Sequence, residues 1–150
     1  MERQIFITKS AVETQKLAAD IIKRLTGKKT GKNALVLALQ GELGGGKTTF
    51  VQGMAKALGV KEKITSPTFV ILRHFNILAS RHFSNFYHID CYRLDNPKDL
   101  ADLGLGEILK DPENLVVIEW ADKVKSLIPK GAVWVRFEWV SEEERKLTIS

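Results

Sequence analysis

The sequence predicts an α/β fold with a mixed central sheet flanked by helices. Three observations carry that prediction. First, the apolar run ALVLAL (34–39) leads into a glycine-rich loop and then into an amphipathic stretch, and such a run fits a strand covered on both faces. Second, two further runs, FYHID (86–90) and NLVVIE (114–119), end on acids. Third, the middle and the C-terminal part alternate aromatic and β-branched residues between turn signals, as antiparallel strands do.

The elements follow in order. RQIFIT (3–8) alternates enough to be a short strand. Ser10 can cap a helix, and Glu13 three residues on completes a capping box. Val12, Ala18, Ile21, Ile22 and Leu25 then fall on one helical stripe, and Gly27 takes the position of a C-terminal stop. After ALVLAL and its loop, a helix runs from about Lys47 to Leu58 and stops at Gly59. TFVILRHFNI (68–77) and HFSNFYHIDCYRL (82–94) read as two strands joined by LASR, a hairpin or an antiparallel pair. NPKDLADLGLGEILK (96–110) is helical, with Asn96 as cap and Pro97 in the first position. NLVVIEW is a second buried strand. GAVWVRFEWV (131–140) and RKLTIS (145–150) form a final antiparallel pair.

Composition narrows the class. The chain has 150 residues, 44% of them hydrophobic, which suits one domain, 1–150, with a proper core. No run approaches the roughly 18 apolar residues of a membrane span. MERQIFITKS holds no signal-like apolar segment. A single cysteine, Cys91, excludes an internal disulfide and a cysteine-cluster metal site. Together these predict a cytoplasmic protein without membrane association. The net charge is +5, and KRLTGKKTGK (23–32) concentrates five basic residues without an acid. That segment reads first as a solvated loop, with a footprint for nucleic acid or an acidic partner as the other reading.

The loop carries the chemistry. The spacing Gly41-x-x-x-x-Gly46-Lys47-Thr48, between strand and helix, is the phosphate-binding pattern and makes this a P-loop NTPase-like domain. Gly41, Gly44, Gly45 and Gly46 let backbone N–H groups converge on phosphate oxygens, and the helix N-terminus adds a favourable dipole. Lys47 supplies a cation to the β- and γ-phosphates, Thr48 a hydroxyl to Mg²⁺, and Thr49 reaches the α-phosphate. The second anchor of a magnesium site is an acid at the end of a neighbouring strand. Glu119 and Asp90 both qualify, one to hold metal and the other to orient water. NPKD (96–99) departs from the guanine-reading pattern and reads as a helix cap, so ATP is the expected nucleotide. Cys91 reads as a buried small hydrophobe, Trp134 and Trp139 as sheet packing. His88 shares the strand face of Asp90 and is either a neighbour of the site or a core or partner-facing histidine.

GELGGGKTTF, SPTF (66–69), YHIDCYRL (87–94), LGLGEIL (103–109) and VIEWAD (117–122) occur in that order. The series resembles the TsaE family, P-loop ATPases of bacterial tRNA threonylcarbamoyladenosine biosynthesis, over nearly the whole chain. The resemblance implies that Thr48 and Glu119 hold Mg²⁺ and that Asp90 is essential for hydrolysis. It places Ser66 and Thr68 in a switch-like loop near the γ-phosphate, and Trp120 beside the nucleotide or at a partner surface. It puts Arg145 near the adenine, with the segment around Thr8 to Ser10. Gly45 departs from the alanine or serine usual there, which costs only loop entropy. The family acts with TsaB and TsaD, and TsaD performs the carbamoyl transfer, with tRNA met indirectly or at a shared surface. Two other readings of the loop are a small kinase, with Arg81 in NILASRH as its lid residue, and a non-catalytic nucleotide switch.

Overall fold

The computed structural model describes residues 2–27, 31–42, 44–65 and 71–150. The expectations placed on Ser66, Pro67 and Thr68 lie outside the described residues. The chain order is β1 (Gln4–Thr8), α1 (Ala11–Gly27), β2 (Leu35–Gly41), α2 (Lys47–Ala57), β3 (Leu72–Asn76), β4 (Asn85–Asp90), α3 (Pro97–Ala101), α4 (Leu105–Lys110), β5 (Asn114–Glu119), a 3₁₀ segment (Ala121–Leu127), β6 (Val133–Trp139) and β7 (Arg145–Ile149). The strands form one sheet in the order β1-β7-β6-β2-β5-β4-β3. Its centre, β6-β2-β5-β4, is parallel, and β3, β7 and β1 are added antiparallel. This is the mixed sheet flanked by helices that the sequence predicts.

The core is double because both faces of the central strands are covered. On one face Leu37, Leu39 and Val117 pack with Phe50, Val51 and Met54 of α2 and Ala18, Ile21 and Ile22 of α1. On the other, Val36, Ala38, Val116 and Ile118 pack under Leu100, Leu105, Ala121 and Val124. The two helices of the first face approach closely. A Cβ on Gly53 would lie 2.5 Å from the Gln15 carbonyl oxygen, so only glycine fits there.

Local differences from the sequence reading have physical causes. Ser10 caps the helix as read, since the Glu13 N–H donates to Ser10 Oγ (3.1 Å), while the Glu13 carboxylate accepts from the Lys9 N–H (3.4 Å), one residue before the one a capping box uses. Val12, however, is 58% exposed, and Thr14 is buried in the stripe instead. Its hydroxyl is paired with that of Thr8 at 2.7 Å, which removes the cost of burying it. The helix expected over 96–110 is two helices, because Gly104 takes a left-handed φ of 91° between them. Asn96 caps the first, accepting from the Lys98 N–H at 3.0 Å, so NPKD is structural as read. Trp134 packs against the second core cluster. Trp139, the last residue of β6, is 57% exposed and does not pack into the sheet. The 3₁₀ segment has no helical stripe in the sequence to announce it.

Candidate functional site

The parallel strands β2, β5 and β4 bring their carboxyl ends to one edge of the sheet, the edge at which α/β folds place ligands. The register sets Glu119 beside Leu39 and Asp90 beside Glu119. The chain leaves β2 through Gly41, whose φ is 149° and whose added Cβ would lie 2.6 Å from the Phe137 carbonyl oxygen. It then turns through Gly44 (φ 77°) into Gly46, the N-cap of α2, with φ 99°. The first bond into the helix runs from the Phe50 N–H to Gly46 O. The amides of Lys47, Thr48 and Thr49 therefore have no acceptor within α2 and face the loop with the positive end of the helix dipole.

The loop is not uniform in its amides. The Gly45 N–H donates to Glu42 O at 3.1 Å, so it closes the loop on itself and is not turned to an outside ligand as Gly44 and Gly46 were expected to be with it. The Gly44 carbonyl accepts from Arg145 Nε at 2.8 Å.

Lys47 is buried, 5% exposed. Its Nζ donates to Gly41 O (2.5 Å) and Glu42 O (2.9 Å) and sits 4.2 Å from the centroid of the Trp120 ring. Burial lowers its pKa from the ordinary lysine value, and Glu119, Asp90, Asp122 and Glu42 oppose that shift. Trp120 therefore lies on the phosphate-loop side. Its φ of 58° is left-handed, an uncommon state for a bulky residue and one found where the surroundings over-determine it. Tyr92 packs on the same ring at 5.0 Å, and the Lys123 ammonium donates to the Tyr92 carbonyl.

The acids differ from each other. Glu119, 2% exposed, receives the Thr48 hydroxyl on Oε1 at 3.3 Å and meets His88 Nε2 with Oε2 at 2.5 Å. Asp90 accepts the Tyr92 N–H at 2.9 Å, so it does close the following turn. Burial still raises its pKa above the usual carboxylate range, against the Tyr92 hydrogen bond. Burial likewise pushes Cys91 up to about 12, which leaves it an inert thiol. Among the described residues no three His, Cys, Asp or Glu gather to hold an ion. One hydroxyl and one or two carboxylate oxygens suit a hard cation that completes its shell with phosphate and water, as Mg²⁺ does.

A cavity of about 260 Å³ opens beside Gly46 and Thr49 and is bounded by Ser10, Ala11, Thr14, Glu142, Glu143 and Arg145. Arg145 and Ser10 thus share one cavity. Thr8 does not line it, because its hydroxyl is buried against Thr14. Arg145 reaches no further: besides Gly44 O, its guanidinium donates to the carbonyls of Ser141, Glu142 and Glu144 at 2.6, 3.2 and 3.0 Å. Arg81 is not at this edge. Its loop hangs on the far end of α2, where the Leu78 and Ala79 N–H groups donate to Leu58 O. An 11-residue helix puts that about 16 Å from the phosphate loop, so Arg81 is no lid over it. The contact that the sequence left undecided is His88 with Glu119. Its one signal was the two-residue spacing to Asp90.

Residues 8–147 match the model of a family described as Threonylcarbamoyl adenosine biosynthesis protein TsaE. Several proteins named tRNA threonylcarbamoyladenosine biosynthesis protein TsaE are similar to this chain. The one from Treponema pallidum is 36% identical over 115 residues, 77% of this chain and 81% of that protein. The one from Rickettsia felis is 36% identical over 148 residues, 97% of this chain and 78% of that protein. Bacillus subtilis YdiB, a crystal structure, superposes with a TM-score of 0.72 at 28% identity, covering 99% of this chain and 84% of that one.

Proposed function

The chain belongs to the TsaE family of threonylcarbamoyl adenosine biosynthesis proteins, and on that premise we propose that it binds and hydrolyses ATP with Mg²⁺ to keep the TsaB–TsaD complex turning over. It is a nucleotide-binding P-loop protein with a role in tRNA threonylcarbamoyladenosine modification. The observation that carries the finer reading is the meeting of Thr48 and Glu119, 3.3 Å apart, at the mouth of a loop already closed around Lys47.

In this reading the amides of Gly44, Gly46, Lys47, Thr48 and Thr49 hold phosphate oxygens, and Gly45 keeps the loop in shape. Lys47 meets the β- and γ-phosphates from a position where burial strengthens its field. Thr48 and Glu119 hold the magnesium ion. When bound, Mg²⁺ supplies charge neutralisation at the phosphate oxygens. Asp90, whose pKa is raised by burial, orients the attacking water and draws on its proton. Arg145 and Ser10 border the cavity assigned to the adenine. Thr68 takes the γ-phosphate side on the resemblance alone. Residues 1–150 act as one ATPase domain in the cytoplasm, with tRNA met indirectly or at a surface shared with the partners. No helix among the described residues is long and apolar enough to cross a membrane.

Turnover of the chain alone is expected to be low. Arg145 Nε and Nη1 are engaged by four backbone carbonyls beside the adenine cavity, and in this reading the cation that meets charge developing on the γ-phosphate comes from a partner. Such a group supplied in trans raises phosphoryl transfer by about 10³–10⁵. Steady-state phosphate release at equal ATP, with and without TsaB–TsaD, tests this. Equal turnover of the lone chain refutes partner completion, and tight ATP binding with no turnover in either case makes the protein a switch. In the same assay Glu119→Gln loses hydrolysis by weakening magnesium binding, while Asp90→Asn loses it with nucleotide still bound.

A further inference from the structure

His88 is a fully buried histidine at the edge of the site with no part in the scheme above. It lies opposite Val117 in the β4–β5 register, two residues before the Asp90–Glu119 pair. Side chains two apart on a strand share a face, so His88 reaches Glu119 diagonally across the two strands. The contact is 2.5 Å from Nε2 to Oε2, with His88 0% and Glu119 2% exposed. An ionised carboxylate only accepts, so Nε2 carries the proton and donates. The other ring nitrogen, Nδ1, is buried and has no hydrogen-bond partner among the described residues. The imidazole is thus held by one polar contact, and that contact is with Glu119. The two oxygens of Glu119 are divided by it: Oε2 is taken by His88, and Oε1 is the one facing Thr48.

We propose that His88 is a positioning residue for the magnesium anchor: by engaging Oε2 it fixes the rotation of the Glu119 carboxylate so that Oε1 stands at Thr48. The inference rests on the assignment of Thr48 and Glu119 to Mg²⁺. A packed core histidine would account for the burial. It would not account for a polar atom left without a partner while its mate is given to the carboxylate at the end of the neighbouring strand, since buried polar atoms are otherwise paired. Partners that orient a ligating carboxylate typically govern 10–100-fold in metal affinity.

The test titrates MgCl₂ against the full chain in the presence of a non-hydrolysable ATP analogue and reads binding directly. His88→Leu removes the donor. His88→Asn places an amide donor near the position of Nδ1, short of the carboxylate. His88→Gln places one near the position of Nε2. The expected result is a magnesium midpoint raised about 10-fold or more in the Leu and Asn variants, largely restored in Gln, with nucleotide affinity in EDTA unchanged. A midpoint equal to wild type in His88→Leu, with only the urea midpoint lowered, overturns the proposal and leaves His88 a structural residue. Glu119→Gln is run beside them. If it too leaves the midpoint unmoved, the magnesium assignment itself has failed; if it moves the midpoint and the His88 variants do not, the His88 inference alone has failed. Imidazole ¹⁵N spectra of the wild-type chain need no variant to fold. They are expected to show the proton on Nε2, and a proton on Nδ1 with a bare Nε2 overturns the proposal.

Discussion

The two ends of the parallel strands hold their polar side chains in opposite ways. At the carboxyl end stand Lys47, His88, Asp90 and Glu119, all ionisable. At the amino end the polar groups are mostly neutral and close on one another. Asn85 donates to Asn114 Oδ1 at 3.0 Å, Asn114 donates to Ile108 O at 2.9 Å, and His74 meets Asn85 at 2.8 Å. A cavity of about 580 Å³ is also at the amino end, between Arg24, Leu25, Leu35, Phe83 and Ala132. Chemistry separates the ends. Amides that satisfy each other hold strands in register. Ionisable groups gathered out of water, with Lys47 pushed down and Asp90 pushed up by burial, cost stability and are poised for a charged ligand.

The largest expected effect lies at the carboxyl end. Lys47→Ala should reduce partner-stimulated phosphate release by about 10²–10³, the scale of losing one preorganised donor to a charged transition state. Its melting temperature should stay close to that of wild type, because relief of a desolvated cation offsets the loss of its hydrogen bonds to Gly41 O and Glu42 O. Loss of activity through unfolding, seen as a lower melting temperature, would break the comparison.

At the amino end the same degree of burial should give the reverse result. Asn114→Ala leaves the Asn85 amide and the Ile108 carbonyl without their partner, a cost of about 1–3 kcal/mol. For a chain of this size that is about 2–4 °C in melting temperature per kcal/mol. Nucleotide affinity by fluorescence titration should match wild type. A large loss of affinity at unchanged stability would show that the two ends are coupled.

The smallest effect sharpens the contrast through pH. Burial holds the Asp90 carboxyl above its ordinary range, so the folded chain keeps that proton more readily than the unfolded chain. As pH rises through the folded value, the buried charge costs stability. Asp90→Asn removes the cost while keeping an acceptor for the Tyr92 N–H. Its melting temperature should exceed wild type at neutral pH, with the gap closing as pH falls into the acid range. A gap independent of pH would mean that desolvation does not set the stability of this position.

Much of the site was legible in one dimension because its determinants are local. Gly41 to Thr48 must be glycines at the left-handed turns and a cation at the helix start, whatever the rest of the chain does. Asp90 and Glu119 could be chosen because each ends an apolar run, and a parallel sheet brings such ends together. The α1 cap, the β3–β4 and β6–β7 pairs, and Asn96 as a cap were equally local. Other features depended on partners distant in sequence. Which carboxylate oxygen faces Thr48 is decided by His88 across two strands. That the Arg145 side chain reaches the Gly44 carbonyl depends on how β7 docks beside β6. The left-handed Trp120 lies against Lys47 on one side and packs with Tyr92, both distant in sequence. Sequence by itself determined the backbone cradle and the residue types around it, because conformational preference and periodicity are short-range. Only the tertiary structure decided which of those groups remain available to a ligand, because each hydrogen bond made inside the fold removes a donor or acceptor from the site.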